Sequence, residues 1–370
     1  MKELGIYIHI PFCKKKCDYC DFISYCDKSN LIEEYIEKLK EEIQTELKNK
    51  EYKIITIYIG GGTPSFINSK YIVEILNIIE EKYDLQSTEI TIELNPGTVT
   101  EQKLLDYKNI GINRLSIGLQ ETNNELLKQI GRIHTYEEFL ETYNLARQIG
   151  FKNINVDLMI GLPNQSIQNI KESLNKVITL NPEHISVYSL ILEEGTKLYK
   201  KYENKEIELP DEERERNMYW YVKNTLENNG YSHYEISNFS KKGYKSKHNM
   251  NCWKQKEYIG FGLNAHSYLD GVRYSNTENL EEYIKVSDKI IHEKQTIEDM
   301  KKEYMLLGLR KIEGVSIQKF EEKFVENPIF LFRNELNKLV EQELLEVDGD
   351  IIRLTNKGLD LANIVWEEFV

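Results

Sequence analysis

Six short β-rich runs alternate with helical stretches through the first half of this chain, and that alternation restricts the sheet it can build. The runs are Gly5–Ile10, Ile54–Ile59, Glu89–Leu94, Arg114–Leu119, Asn153–Met159 and His184–Ser189. Amphipathic segments separate them: Leu31–Leu47, Lys70–Lys82, Glu101–Tyr107, Tyr136–Ile149 and Ile167–Leu180. Ile72, Ile75, Leu76 and Ile79 repeat at helical spacing, and Leu140, Tyr143, Leu145 and Ile149 do so more loosely. Thr100-Glu101 and Asn169–Glu172 read as helix starts, Gly111 and Gly150 as stops. Strand–helix repetition implies a parallel sheet with right-handed crossovers. Six units are too few for a closed eight-stranded barrel, so the predicted class is α/β, either a partial barrel or a doubly wound sheet. Both place a ligand at the carboxyl ends of the strands.

The rhythm changes after about residue 235, so the chain divides into a core over 1–235, a connecting segment over 236–295 and a C-terminal module over 296–370. Ser240–Trp253 reads as a loop. From Thr296 the order is three helices, a hairpin over Leu344–Leu354 turning at Asp348-Gly349-Asp350, and a final helix, which is a winged-helix-like pattern. The formal charge of −13 over 370 residues disfavours a general nucleic-acid binder, and a docking or structural role suits the module better. No run approaches the roughly 20 apolar residues of a membrane span. An acidic residue and a glycine precede any apolar stretch at the start, so no secretory signal is read there. The expected location is the cytoplasm, or the membrane periphery if an acceptor sits there.

Three of the five cysteines crowd into Cys13-Lys14-Lys15-Lys16-Cys17-Asp18-Tyr19-Cys20, directly after the first strand. In a reducing compartment such crowding reads as metal ligation. Thiolates are the usual protein ligands of iron–sulfur clusters, and three of them leave one iron of a cubane open. Structural zinc wants four ligands, and Cys26 or Cys252 could complete the set. Gly60-Gly61-Gly62-Thr63-Pro64 ends strand two, where glycines let a ligand approach the backbone. Glu93 ends strand three, Gln120 follows strand four with Arg132 beyond it, and Asp157 lies inside strand five. Singly each is a solvated charge or a helix cap. Together they put polar groups at successive strand ends.

Cys-x3-Cys-x2-Cys after a first strand resembles the signature of the radical S-adenosylmethionine (SAM) superfamily. The resemblance implies a partial (β/α)6 barrel, a [4Fe–4S] cluster on Cys13, Cys17 and Cys20, SAM on the open iron, and an electron donor to the cluster. It assigns Gly61, Gly62 and Thr63 to SAM's amino group and Glu93 to its ribose. It suggests Gln120, Arg132 and Asp157 as further cofactor or substrate contacts. Tyr7-Ile8-His9-Ile10-Pro11-Phe12-Cys13, with Gly131-Arg132-Ile133-His134, is similar to the oxygen-independent coproporphyrinogen dehydrogenase group, and Tyr7 is carried over as a cofactor contact. The dehydrogenases of that group typically have a fourth cysteine two residues after the third and a longer N-terminal extension. Here Phe22 holds that position and only twelve residues precede Cys13. Both departures resemble the haem-chaperone (HemW) branch, which implies haem binding, haem-accepting partners and no dehydrogenase activity. That branch's His-Asn-x-x-Tyr-Trp motif matches His248-Asn249 and Trp253, with Cys252 in place of the tyrosine. His248 is therefore the first expected haem ligand and His266 the second, with Cys252 either a thiolate neighbour or a buried filler.

Overall fold

The computed structural model of the chain describes residues 1–48, 50–285 and 289–370. The six foreseen strands are present as β1 (Lys2–Ile10), β2 (Tyr52–Gly61), β3 (Glu89–Leu94), β4 (Arg114–Gln120), β5 (Ile154–Ile160) and β6 (His184–Ser189). They lie side by side in chain order and all pair in parallel. The crossovers are α1 (Ile32–Glu46), α2 (Ser69–Glu80), α3 (Glu101–Asn109), the short α4 (Asn124–Gln129), α5 (Tyr136–Ile149) and α6 (Ile167–Leu180). Local chemistry sets their ends. Thr135 with Glu138, and Ser166 with Asn169, close reciprocal caps, and Gly150 leaves α5 with φ of 95°.

Each strand alternates sharply. Ile57 and Ile59, Ile90 and Ile92, Leu115 and Ile117, Ile154 and Val156, and Ile185 and Val187 are buried in one core that also takes in the helices. The intervening residues, Thr56, Tyr58, Glu89, Glu93, Arg114, Ser116, Asn155, Asp157, His184 and Ser186, point to the other face. They bond to one another there, as in Asn155 Nδ2 to Asp157 Oδ1 at 2.7 Å and His184 Nδ1 with Asn155 Oδ1 at 2.6 Å. A parallel sheet packed on both faces would be apolar on both. This one has a polar face, and Tyr58, Glu93, Ser116 and Asp157 on it line a cavity.

Beyond β6 come α7 (Lys197–Glu203), α8 (Glu212–Asn228), β7 (Ser232–Glu235), β8 (Asn238–Ser240), α9 (Lys247–Trp253), β9 (Tyr258–Phe261), β10 (His266–Leu269), β11 (Val272–Asn276) and β12 (Lys289–Lys294). The whole sheet runs β12-β11-β10-β9-β1-β2-β3-β4-β5-β6-β8-β7, so it is open, with no closed ring. The stretch read as a loop contains α9, a correction with a tertiary cause. Glu89 Oε1, at the start of β3, accepts from the backbone N–H of Lys247 at 2.8 Å and of His248 at 3.3 Å, which holds the helix against the barrel floor. On the other flank Glu42 of α1 is buried. It accepts from Gly262 N at 3.0 Å, Asn276 Nδ2 at 2.8 Å and Tyr283 Oη at 2.7 Å and pairs with Lys289, fastening the β9–β12 extension to the barrel.

The C-terminal module has helices at Ile297–Gly308, Ile317–Phe324 and Arg333–Glu341, a short helix at Pro328–Leu331, and the foreseen hairpin as Leu345–Asp348 and Ile351–Leu354. Its separate core joins Met305, Leu309, Phe320, Leu336, Ile352 and Phe369. It docks by backbone bonds from Ile236 N to Arg310 O (3.2 Å) and Ile312 N to Tyr234 O (3.2 Å). The Arg310 guanidinium lies between the Trp253 and Trp366 rings, 4.4 and 4.6 Å from their centroids, a cation–π clamp across the seam.

Candidate cluster and cofactor cavity

A cavity of about 530 Å³ opens at the carboxyl ends of β1–β6, where the fold rule puts it. Cys13, Cys17, Cys20, Gly61, Gly62, Thr63, Glu93, Gln120, Arg132 and Asp157 all line it, so ten of the residues singled out from sequence meet in one place. Phe22 and Ile191 stand exposed at its rim.

The cysteine loop is tied down from several sides. Gly62 N donates to Ile10 O and Thr63 N to Phe12 O, both at 2.9 Å, so the glycine run is laced to the start of the loop. His9 Nε2 lies 3.1 Å from Ile23 O, which can only accept, so this nitrogen carries the proton. His9 Nδ1 then accepts from Tyr7 Oη at 3.0 Å. Burial holds the His9 ring neutral, down to about 4. A Cβ at Gly61, where φ is 110°, would fall 2.5 Å from the His9 ring, so glycine is obligatory there.

Two of the three sulfurs receive hydrogen bonds, Cys13 Sγ from Thr63 Oγ1 and Cys17 Sγ from Arg132 Nη1, each at 3.4 Å. Burial pushes the Cys13 thiol up and the Cys20 thiol up to about 11, so metal would have to displace their protons. Arg132 also donates to Asn95 Oδ1 at 2.6 Å and to Gly118 O, while its buried Nε has no partner among the described residues. Gly118 gives Gln120 and Arg132 their room, since a Cβ there would lie 3.1 and 3.2 Å from those side chains. Gln120 itself adopts φ of 73°. For a non-glycine residue that is a strained backbone, of the kind that gathers at functional sites.

Among the described residues no three His, Cys, Asp or Glu side chains converge as a single-ion site requires. A cubane binds each thiolate to a different iron, and three cysteines around one cavity, with donors to their sulfurs, fit it.

Glu93 and Asp157 are the two carboxylates that line the inner wall of the cavity. Glu93 Oε1 accepts from Tyr58 Oη at 2.8 Å and its Oε2 from Gly61 N at 3.2 Å. Desolvation nonetheless raises it to about 7. Asp157, also raised by burial, accepts from Asn155 and from Ser116. Tyr58, Asn95, Ser116 and Tyr188 line the cavity without having been singled out. Strand period could have found Tyr58, because it falls two residues before Gly60 on the inward phase.

Three expected contacts, Tyr7, His248 and His266, do not line the cavity. Tyr7 lies behind it, stacked on Tyr58 at 6.4 Å. His248 is buried below Tyr58, with ring centroids 5.2 Å apart, and its Nδ1 shares a 3.0 Å hydrogen bond with Thr56 Oγ1. Cys252 is a thiol held up to about 11 by burial, beside Tyr258 and Arg273, which suits the filler reading rather than a thiolate. His266 is exposed on β10 and stacks on His292 at 5.3 Å.

The model of the radical SAM superfamily matches residues 7–177, and that of the HemN C-terminal domain matches residues 296–361. The heme chaperone HemW of Lactococcus lactis is 39% identical over 100% of this chain and 98% of its own length. The heme chaperone HemW of Bacillus subtilis is 39% identical over 98% of each. Among solved structures, coproporphyrinogen III oxidase (HemN) from Escherichia coli superposes with a TM-score of 0.87 at 23% identity, covering 100% of this chain and 90% of that one, which is a likeness of fold.

Proposed function

The chain belongs to the heme chaperone HemW family of radical SAM proteins, and on that footing we propose that it binds haem and hands it to haem-accepting proteins. The observation that carries this reading is 39% identity to a haem chaperone from end to end. Membership of the superfamily implies a [4Fe–4S] cluster and SAM. We assign the cluster to Cys13, Cys17 and Cys20. When bound, it supplies an electron to SAM, delivered by a separate donor protein.

The chain's own residues do the holding. Thr63 and Arg132 hold the Cys13 and Cys17 sulfurs, and Gly61 and Gly62 leave space for SAM's amino end. Glu93, steadied by donors from Tyr58 and Gly61, would accept from the ribose. Phe22 at the rim offers an apolar surface where the dehydrogenases carry a thiol, which favours carriage over oxidative decarboxylation. His248 would reach haem iron only if α9 left the barrel floor, whereas His266 needs no such movement, and we place it first. Among the described residues no helix is long and apolar enough to cross a membrane. We place the protein in the cytoplasm, where its five cysteines stay reduced.

The test is anaerobic reconstitution followed by haem titration and a coproporphyrinogen III assay. The reading expects a Soret band with wild type, its weakening in His266→Ala, and no protoporphyrinogen IX. Protoporphyrinogen IX formed without any haem binding would replace this reading with the dehydrogenase.

A further inference from the structure

Among the described residues the Glu93 carboxylate has one side-chain donor, Tyr58, and that tyrosine is fixed by rings on two sides. Tyr7 of β1 stacks on it at 6.4 Å with 26° between planes, and His248 lies against it at 5.2 Å and 31°. His248 cannot drift away, because Thr56 holds its Nδ1 and Glu89 holds the backbone of its helix. Thr56 and Tyr58 are two residues apart on β2, so histidine and tyrosine share one inward face. The sequence thus continues from α9 through His248 to Tyr58, then to Glu93 and the cavity. His248 is 8% exposed and does not line the cavity, and this packing gives it a use that needs no place there.

We propose that Tyr58 is the positioning residue of the Glu93 carboxylate, that His248 holds Tyr58 in place from below, and that the pair thereby sets how tightly SAM binds. The proposal rests on the assignment of SAM to Glu93. The physical argument is short. A carboxylate accepts from ribose hydroxyls most strongly when ionised, and this one is desolvated. The Tyr58 hydroxyl donates to the ionised form and so favours it. The other groups facing Glu93 are Asp157 of β5, which opposes ionisation, Arg114 of β4, which favours it, and the neutral phenols of Tyr7 and Tyr188. Losing the Tyr58 donor moves the balance toward the protonated acid. SAM affinity then falls at neutral pH and recovers where the acid ionises anyway.

The experiment is calorimetry of SAM binding to the reconstituted protein between pH 6 and 8.5, with cluster content checked in each sample. In Tyr58→Phe the ring stays and the donor goes. Affinity should be about tenfold weaker at pH 6.5, the effect of roughly one unit of pKa, and the gap should narrow steadily toward pH 8.5. His248→Ala should weaken binding in the same pH-dependent manner by a smaller factor, and His248→Phe, which restores a flat ring, should recover it. A deficit that does not change with pH, or none in Tyr58→Phe, overturns the role of Tyr58. A normal profile in His248→Ala overturns that of His248. Glu93→Ala separates the layers: unchanged affinity there defeats the placement of SAM itself, whereas a loss there with a normal Tyr58→Phe defeats only this inference.

Discussion

Replacing Glu42 by alanine should cost about 3–5 kcal/mol of stability, the range for removing one partner from a buried ionic network. The magnitude can be built from the groups left behind. Gly262 N and Tyr283 Oη lose their buried acceptor, each worth roughly 1–3 kcal/mol when unsatisfied. Asn276 keeps its second bond, to Gly262 O, and Lys289 is exposed enough to turn to water, so these two add little. Glutamine preserves one acceptor and the shape, and Glu42→Gln should lose only about 1–2 kcal/mol. The assay is guanidinium unfolding of the cluster-free protein followed by circular dichroism, with hydrogen exchange over residues 258–276 to locate the weakened region. The damage should extend to the cysteine loop. Tyr35 Oη accepts from Leu263 N and donates to His9 O at 2.7 Å, so a loosened Gly262 turn loosens the strand that carries the cluster motif. Glu42→Ala within 1 kcal/mol of wild type would refute the reasoning, since the network would then not repay the desolvation of its own charges.

Alanine at Cys13, Cys17 or Cys20 should abolish the cubane, measured as iron content and absorbance near 400 nm after reconstitution, while Cys26→Ala and Cys252→Ala retain it. Glu93 gives a pH prediction: its folded value is about 7 against 4.5 unfolded, so folding favours its protonated form, and that contribution is present below pH 4.5 and lost as pH rises through 7. Glu93→Gln lacks the term, and its unfolding free energy should fall less between pH 5 and pH 8 than that of wild type, by on the order of 3 kcal/mol. Gly61→Ala meets both a positive φ and the His9 ring, and should destabilise by at least about 2 kcal/mol. His9→Ala in the same chain should return only part of that, because it removes the clash and leaves the backbone strain.

The barrel and most of its cavity were legible because parallel strands with one apolar and one polar face write their phase into the sequence. Ile57 and Ile59 against Tyr58, or Ile90 and Ile92 against Glu93, show which residues turn inward, and the cysteine and glycine motifs fall at strand ends. What escaped depends on contacts distant in sequence. Lys247–Trp253 has no apolar period, and α9 is pinned by Glu89, 158 residues before it. The motif around His248 names residue types and says nothing about which side of the sheet they occupy, so an expected haem contact became a buried neighbour of Tyr58. The helix Glu212–Asn228 buries only Met218, Val222 and Leu226 among charged residues, a stripe one residue wide that gives little signal.

The position of α9 bears on how such a protein could be divided or recombined. One end of this seven-residue helix stops the barrel floor with His248, and the other offers Trp253 to Arg310 of the C-terminal module. A chimera joined near residue 296 would cut the chain where the elements change, yet leave Trp253 facing a foreign surface. A workable graft has to carry Arg310 and Trp366 with the incoming module, or bring its own α9. The segment from Ser246 to Trp253 therefore belongs to both lobes at once, and what a linear reading takes for a linker is a shared joint.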